Sequence, residues 1–276
     1  MDGINLSRIG PDAPVGALLA RARRARRVSQ LDLAVEAGIS PRHLSFVETG
    51  RARPSRGLVL RLCEALGVPP RDMDAFLLAA GFAPAHRETP LEAPAMAEVL
   101  AALRLLLGKH PWPGAAFDAR WDLVMANEGY AAAVDACLAD GLDPAVGPGP
   151  IPRLSLLPQP RLNMLRLLCH PQGARKRLAN WPEVARAILE RVTREARNIT
   201  DPACRPPLEE ALAYPGVARL LRGERPGPAA ALVVPVEFLL PGGRTARFLT
   251  TIATLGTAQD LTLRELRIET YHPAEA

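Results

Sequence analysis

Cysteine is scarce in this chain. Four residues, at 63, 137, 169 and 204, stand far apart with no CxxC pair. In a chain of 276 residues that spacing argues against a disulfide framework or a zinc site. No apolar run reaches about 18 residues, so no transmembrane helix is expected. The N-terminus, MDGINLSRIG, lacks the basic-then-apolar pattern of a signal peptide, and a cytoplasmic protein is expected. There is no GxSxG, HExxH, P-loop, or GxGxxG opening a helix after a strand, and acids are scattered over helical surfaces. Glu209-Glu210 reads as a solvated face, and no enzyme and no resident cofactor or metal are expected. Lysine occurs only at 109 and 176, so nearly all the basic charge is arginine.

The length is ample for a buried core and suits one to two domains. Charge is unevenly placed. Residues 1–60 hold ten Arg and five acids, and the remainder holds 24 basic and 24 acidic residues. The whole formal charge of +5 therefore sits on the first segment. A basic domain beside a neutral one is an electrostatic footprint for nucleic acid.

Within that segment, SQLDLAVEAGISPRHLSFVETGRARPS (Ser29 to Ser55) carries the punctuation of two short helices at a sharp turn. Ser29 is a good N-cap, and Asp32 can complete a capping box. Leu31, Ala34 and Val35 have the spacing of an inward stripe. Gly38 supplies the left-handed residue that ends the helix, and Ile39 plugs the turn. Ser40 is a second N-cap with Pro41 at the first helical position. Leu44 and Val47 point inward. Arg42, His43, Ser45 and Phe46 are left on outer or flanking faces, able to approach base edges. Arg51 and Arg53 lie just beyond, and Ser55 and Arg56 open the next helix.

The chemistry suits DNA. Arg matches guanine bidentately, and Gln matches adenine, which makes Gln30 a candidate at the head of the first helix. Ser40 can donate to a phosphate from a helix N-terminus that itself attracts anions. A Gly-centred turn also occurs in ordinary helical hairpins, and an Arg-rich face is often only solvated. The cluster Arg21, Arg23, Arg24, Arg26, Arg27 has two readings as well: a phosphate track, or cations favoured at a helix C-terminus.

The rest of the first domain reads as helices. Val15, Leu18, Leu19 and Ala22 form one stripe. Leu58, Val59, Leu62, Cys63 and Leu66 form another after Ser55, and Met73, Phe76, Leu77 and Ala80 a third after Pro69-Pro70. Pro84, Pro90 and Pro94 mark a linker over 83–94. Beyond it, Met96, Val99, Leu100 and Leu103 mark an amphipathic helix. Ala115–Phe117 and Trp121–Met125 read as strands around the turn Asp118-Ala119-Arg120. Helices follow at about 127–138, 160–169, 182–197 and 207–213, with a Pro- and Gly-rich loop at 140–152. Three strands, Ala230–Leu240, Thr245–Leu255 and Leu263–Tyr271, close the chain, the first two joined by the turn Pro241-Gly242-Gly243. Trp112, Trp121 and Trp181 read as core, and His110 and His272, each before a Pro, as turn residues.

SQLDLAVEAGIS resembles the helix-turn-helix of the Cro/phage-repressor (XRE) class. The longer stretch SPRHLSFVETGRARPSRGLVLRLCEALGVPPRDMDAFLLAAGFAP resembles the MmyB-like branch of these bacterial regulators. The likeness continues in HPWPGAAFDARWDLVMAN, NMLRLLCHPQG, AYPG and GTAQDLTLRELRIETYHPAEA, from about Leu18 to Ala276. It implies an all-α helix-turn-helix domain of five helices over 8–82. It also implies an α+β, PAS-like ligand-binding domain over 95–276 with a five-stranded antiparallel sheet. The implied partners are double-stranded DNA and a small apolar ligand, with a fatty acid as the leading class of effector.

Asn163, Arg166 and His170 recur at i, i+3, i+7, one face of a helix. Arg166 can pair a ligand carboxylate bidentately while Leu162, Leu165 and Leu168 line an apolar channel. The alternative is that Arg166 and His170 make structural bonds and the leucines are core. A homodimer is expected, built through the second domain, with recognition helices about 34 Å apart on a roughly palindromic operator. Two rivals stand beside this reading. One is an antitoxin-like or scaffolding DNA-binding protein whose second domain binds a protein. The other is a sensor that converts its ligand.

Overall fold

The computed structural model describes residues 14–138, 161–196, 206–222, 233–256 and 258–274. Expectations for residues 8–13, for the loop 140–152, for Cys204 and for 230–232 fall outside these. The chain divides into two compact units, Met1–Glu88 with Val192–Pro202 and Thr89–Arg191 with Ala203–Ala276.

The first unit is helical: α1 (Val15–Ala25), α2 (Gln30–Glu36), α3 (Pro41–Glu48), α4 (Arg56–Ala65) and α5 (Pro70–Ala79). Three serines cap them. Ser29 Oγ accepts from Asp32 N–H at 3.0 Å and donates to the Asp32 carboxylate at 2.6 Å. Ser40 accepts from His43 N–H and Ser55 from Leu58 N–H. Each cap satisfies a backbone donor that the first turn leaves open. Gly38 takes φ +67° and closes α2, and the Ile39 that follows is half-buried. Leu19, Leu33, Leu44, Leu62 and Phe76 are fully enclosed at the centre of the helices.

The inward stripe of α2 differs from the sequence reading. Leu31 and Val35 are 59% and 72% exposed, and Leu33, Ala34 and Ala37 face the core instead. The stripe is headed by a polar residue. Gln30 points toward α3, where its Nε2 donates to Glu48 Oε2 at 2.6 Å. Residues 30, 33, 34 and 37 then share the inner face.

Glu48 also accepts from Arg23 of α1, through Nε at 2.7 Å and Nη2 at 2.9 Å, and Arg23 Nη1 reaches Val28 O at 3.0 Å. The Glu48 side chain is only 4% exposed. One carboxylate thus ties α1, α2 and α3 together. Beside it α1 lies close against α3: a Cβ on Gly16 would stand 2.1 Å from Val47 O.

The second unit holds α6 (Ala97–Lys109), β1 (Gly114–Phe117), β2 (Leu123–Ala126), α7 (Glu128–Leu138), α8 (Met164–Cys169), α9 (Trp181–Ala196) as far as Arg191, α10 (Pro206–Ala213), β3 (Val236–Leu239), β4 (Thr245–Ala253) and β5 (Arg267–Pro273). The strands form one sheet in the order β2-β1-β5-β4-β3, every neighbouring pair antiparallel. This is the PAS-like arrangement that the resemblance implies. Leu100, Leu103 and Leu107 of α6 pack on one face, against Ala116, Met125 and Ile268. Irregular chain bonds along part of each edge. Beside β2, Leu123 N–H donates to Leu162 O and Met164 N–H to Trp121 O. Beside β3, Ala179 N–H donates to Glu237 O and Leu239 N–H to Arg177 O. Such cover shortens the open edge that invites pairing with another chain.

Several boundaries shift. The last strand begins at Arg267 rather than Leu263, because Asp260 accepts from Thr262 N–H and starts a helical turn over Leu261–Arg264. The strand expected from Ala230 begins at Val236, and the one expected to Leu255 ends at Ala253. Gly242 and Gly243, at φ +81° and +77°, form the expected turn between β3 and β4. Parts of the segment 83–94 bond within their own unit. Asp74 accepts from Ala85 and His86 N–H, and the Thr89 hydroxyl donates to Asp260. Trp121 and Trp181 are buried, but Trp112 is 44% exposed. Glu210 is not a bare solvated acid, since it accepts from both Arg166 and Tyr214.

Burial alone would push the Glu48 carboxyl up, but hydrogen bonds from Arg23 and Gln30 hold it below the ordinary carboxylate value. A lowered folded-state value adds stability that is present above the unfolded carboxylate range and is lost as pH falls through the folded value. Glu48→Ala should therefore cost about 3 kcal/mol at neutral pH by leaving Arg23 unpaired. It should also flatten the loss of stability on acidification, measured by urea unfolding from pH 7 to pH 3. An unaltered acid limb would contradict this role.

Candidate functional site

The surface of α3 and the residues after it form the candidate nucleic-acid interface. Arg42 and His43 are exposed on the first turn of α3, and Ser45 and Phe46 are half-buried on its flank. The Arg42 guanidinium carbon lies 5.4 Å from the Phe46 ring centroid, so the ring steadies a long side chain by cation–π contact. Arg51, Arg53, Ser55 and Arg56 are all exposed along the connection from α3 into α4. Ser40 uses its oxygen as the cap acceptor, which leaves its hydroxyl proton to donate. Gln30 has one amide N–H committed to Glu48, so its orientation at the head of α2 is set from behind.

The arginine cluster divides by geometry. Arg23 belongs to the Glu48 tie, and Arg26 Nη2 donates to Gly67 O at 2.8 Å, where α4 has ended. Burial lowers Arg26 from its ordinary value, though neighbouring acids offset part of this. Arg24 and Arg27 are exposed. The Glu48 tie escapes sequence reasoning: its three members sit on three helices, at spacings that carry no local signal. An acid kept inside a strongly basic segment is its only trace.

In the second unit the five expected ligand contacts fall around α8. Asn163 is its N-cap and not a residue of its face. Its Oδ1 accepts from Leu165 and Arg166 N–H, and its Nδ2 donates to Arg120 O and Asp122 Oδ1. Leu162 and Leu165 are buried. His170 lies just past the helix end, 9% exposed, with its ring edge-on to Tyr214 at 5.0 Å. Arg166 donates from Nε and Nη2 to the two oxygens of Glu210 on α10, at 2.8 and 2.7 Å. The hydrogen bond from Arg166 holds Glu210 below the ordinary carboxylate value, while burial and the Glu210 carboxylate push the Tyr214 phenol up to about 12.

The other face of the sheet carries polar groups that sequence reasoning does not single out. Tyr130, Tyr271 and Glu269 meet there: the rings are 5.9 Å apart and the Tyr271 hydroxyl donates to Glu269 at 3.1 Å. Burial pushes both phenols far up. Trp121 adopts φ +65° and lies between Arg191 and Arg267, at 5.1 and 4.8 Å. The thiols of Cys63, Cys137 and Cys169 are buried and pushed up to about 12, 11 and 12, which keeps them protonated and unreactive. Among the described residues no helix is long and apolar enough to cross a membrane.

Comparison with known families decides what these two units are. The family model of the MmyB-like transcription regulator ligand binding domain matches residues 99–276. A helix-turn-helix domain model matches residues 14–76. The chain belongs to the MmyB-like transcription regulators. A search of the curated proteins returned no match. As an MmyB-like regulator, the chain couples a helix-turn-helix DNA-binding module to a ligand-sensing domain.

From this geometry, Arg42→Ala should cost about 1–3 kcal/mol of operator binding and relax specificity at one base position. Equal weakening on all sequences in a gel-shift series would make Arg42 a phosphate contact. Arg51→Ala should weaken binding uniformly and shallow the salt dependence. An unchanged slope would remove Arg51 from the phosphate contacts.

Proposed function

We propose that this chain is a cytoplasmic, homodimeric, sequence-specific transcriptional regulator whose second domain senses a fatty acid. Binding acts through differential affinity for DNA-competent and incompetent forms, since a ligand that binds both equally shifts nothing. The observation that carries the ligand class is the Arg166–Glu210 pair. Glu210 offers Arg166 a carboxylate in the two-pronged geometry that a fatty-acid head group would take, with both bonds under 3 Å. Leu162 and Leu165, buried beside it, supply apolar surface for a chain. An incoming carboxylate would displace Glu210, which sits half-exposed on α10.

Native and denaturing mass spectrometry of the purified protein, with an organic extract alongside, tests this. The expected result is a native mass excess that resolves to a fatty acid. Arg166→Met should weaken the binding of a saturated fatty acid by about tenfold or more, and Glu210→Gln should strengthen it by removing the internal competitor. Unaltered affinity in both variants would remove the carboxylate anchor. A ligand-free protein that copurifies with a stoichiometric protein partner would favour the scaffolding reading instead.

A further inference from the structure

Helix α6 is apolar on two opposite sides. Leu100, Leu103 and Leu107 are buried against the sheet. The other side carries Ala101, Ala102, Leu105 and Leu106, all exposed, with Leu105 at 59% and Leu106 at 49%. A second apolar side on a helix is ordinarily covered as well. Here the second unit covers only one side of it.

The exposed side has an order that points to its occupant. Glu98, Ala102, Leu105 and Lys109 follow i, i+4, i+7, i+11, so they lie along one stripe about 16 Å long. All four are exposed. Read from the N-terminus, the stripe runs acid, small, large, base. Read in reverse, it runs base, large, small, acid. An antiparallel copy therefore sets Glu98 opposite Lys109, and Ala102 opposite Leu105, at both ends of a two-fold axis between residues 103 and 104. Such a self-complementary patch is what an isologous interface requires. The small residues let the helices approach, and each leucine fills the space above an alanine. Leu239 and Leu249 are also exposed, on the sheet face against which α6 packs.

We propose that α6 packs antiparallel on α6 of a second copy of this chain, and that this pairing forms the dimer. The inference rests on the homodimer reading above and names its surface. The test is sedimentation and native mass spectrometry of the full chain. Glu98→Lys and Lys109→Glu should each weaken the dimer by about tenfold, because each sets like charges opposite one another twice. Mixing the two variants should restore it as a heterodimer, in which both opposed pairs again join an acid to a base. Leu105→Glu should weaken dimerisation by about a hundredfold while the thermal melt stays that of a folded protein. A wild-type dimer that tolerates all three variants would overturn the surface and leave the dimer standing. A monomeric wild type would overturn both.

Discussion

The Glu48 carboxylate is the point at which the DNA-binding unit is held in register. It sits at the end of α3, almost closed off from water, and draws in Arg23 from α1 and Gln30 from α2. Its position sets the rotation of α2, and the close approach at Gly16 sets how near α1 lies to α3. With those two helices fixed, the outer turn of α3 presents Arg42 and His43 without needing contacts of its own. A buried ion pair contributes through geometry more than through net energy, since removing one partner costs far more than the pair gains. Here it lets a small, arginine-rich unit keep one arrangement while its surface carries excess positive charge.

The ligand-sensing unit is organised differently. Among the described residues, 161–164 and 177–179 bond along part of the two sheet edges, at β2 and β3. Order is then carried into the helices by side chains that hold backbone: Asn163 starts α8, and Asn127 Oδ1 accepts from Gly114 and Tyr130 N–H. Between α8 and α10, Arg166 and Tyr214 both donate to Glu210 and form a polar clasp. The Tyr130, Tyr271 and Glu269 group differs: Tyr130 and Glu269 are buried, and the Tyr271 hydroxyl donates to Glu269. The unit therefore combines an extended sheet with a half-exposed ionic contact between two of its helices.

Much of this is legible in the sequence, and the reasons are local. Ser29, Ser40 and Ser55 are recognisable as caps because a cap needs only its own next three residues. Gly242-Gly243 is recognisable as a turn for the same reason. The five-stranded order comes from the resemblance, since periodicity gives strands and not their neighbours. Misreadings arise where a distant partner overrides a local pattern. Leu31 and Val35 are large apolar residues of α2, yet Gln30 decides which side faces inward, because its partner lies on α3. Glu210 reads as solvated because Arg166 is 44 residues away along the chain. Leu263 reads as part of a strand unless Asp260 is taken as a cap. The Glu48 tie leaves no signal in composition, as it depends on what faces it in space.

The most direct test of the account is selection of DNA by the full-length protein from a random pool, followed by sequencing. A helix-turn-helix regulator acting as a two-fold dimer should enrich an inverted repeat whose half-site centres lie about 10–10.5 base pairs, or a multiple, apart. Recovery of DNA with no shared sequence would mean that the basic first unit binds phosphate alone, and would contradict sequence-specific regulation.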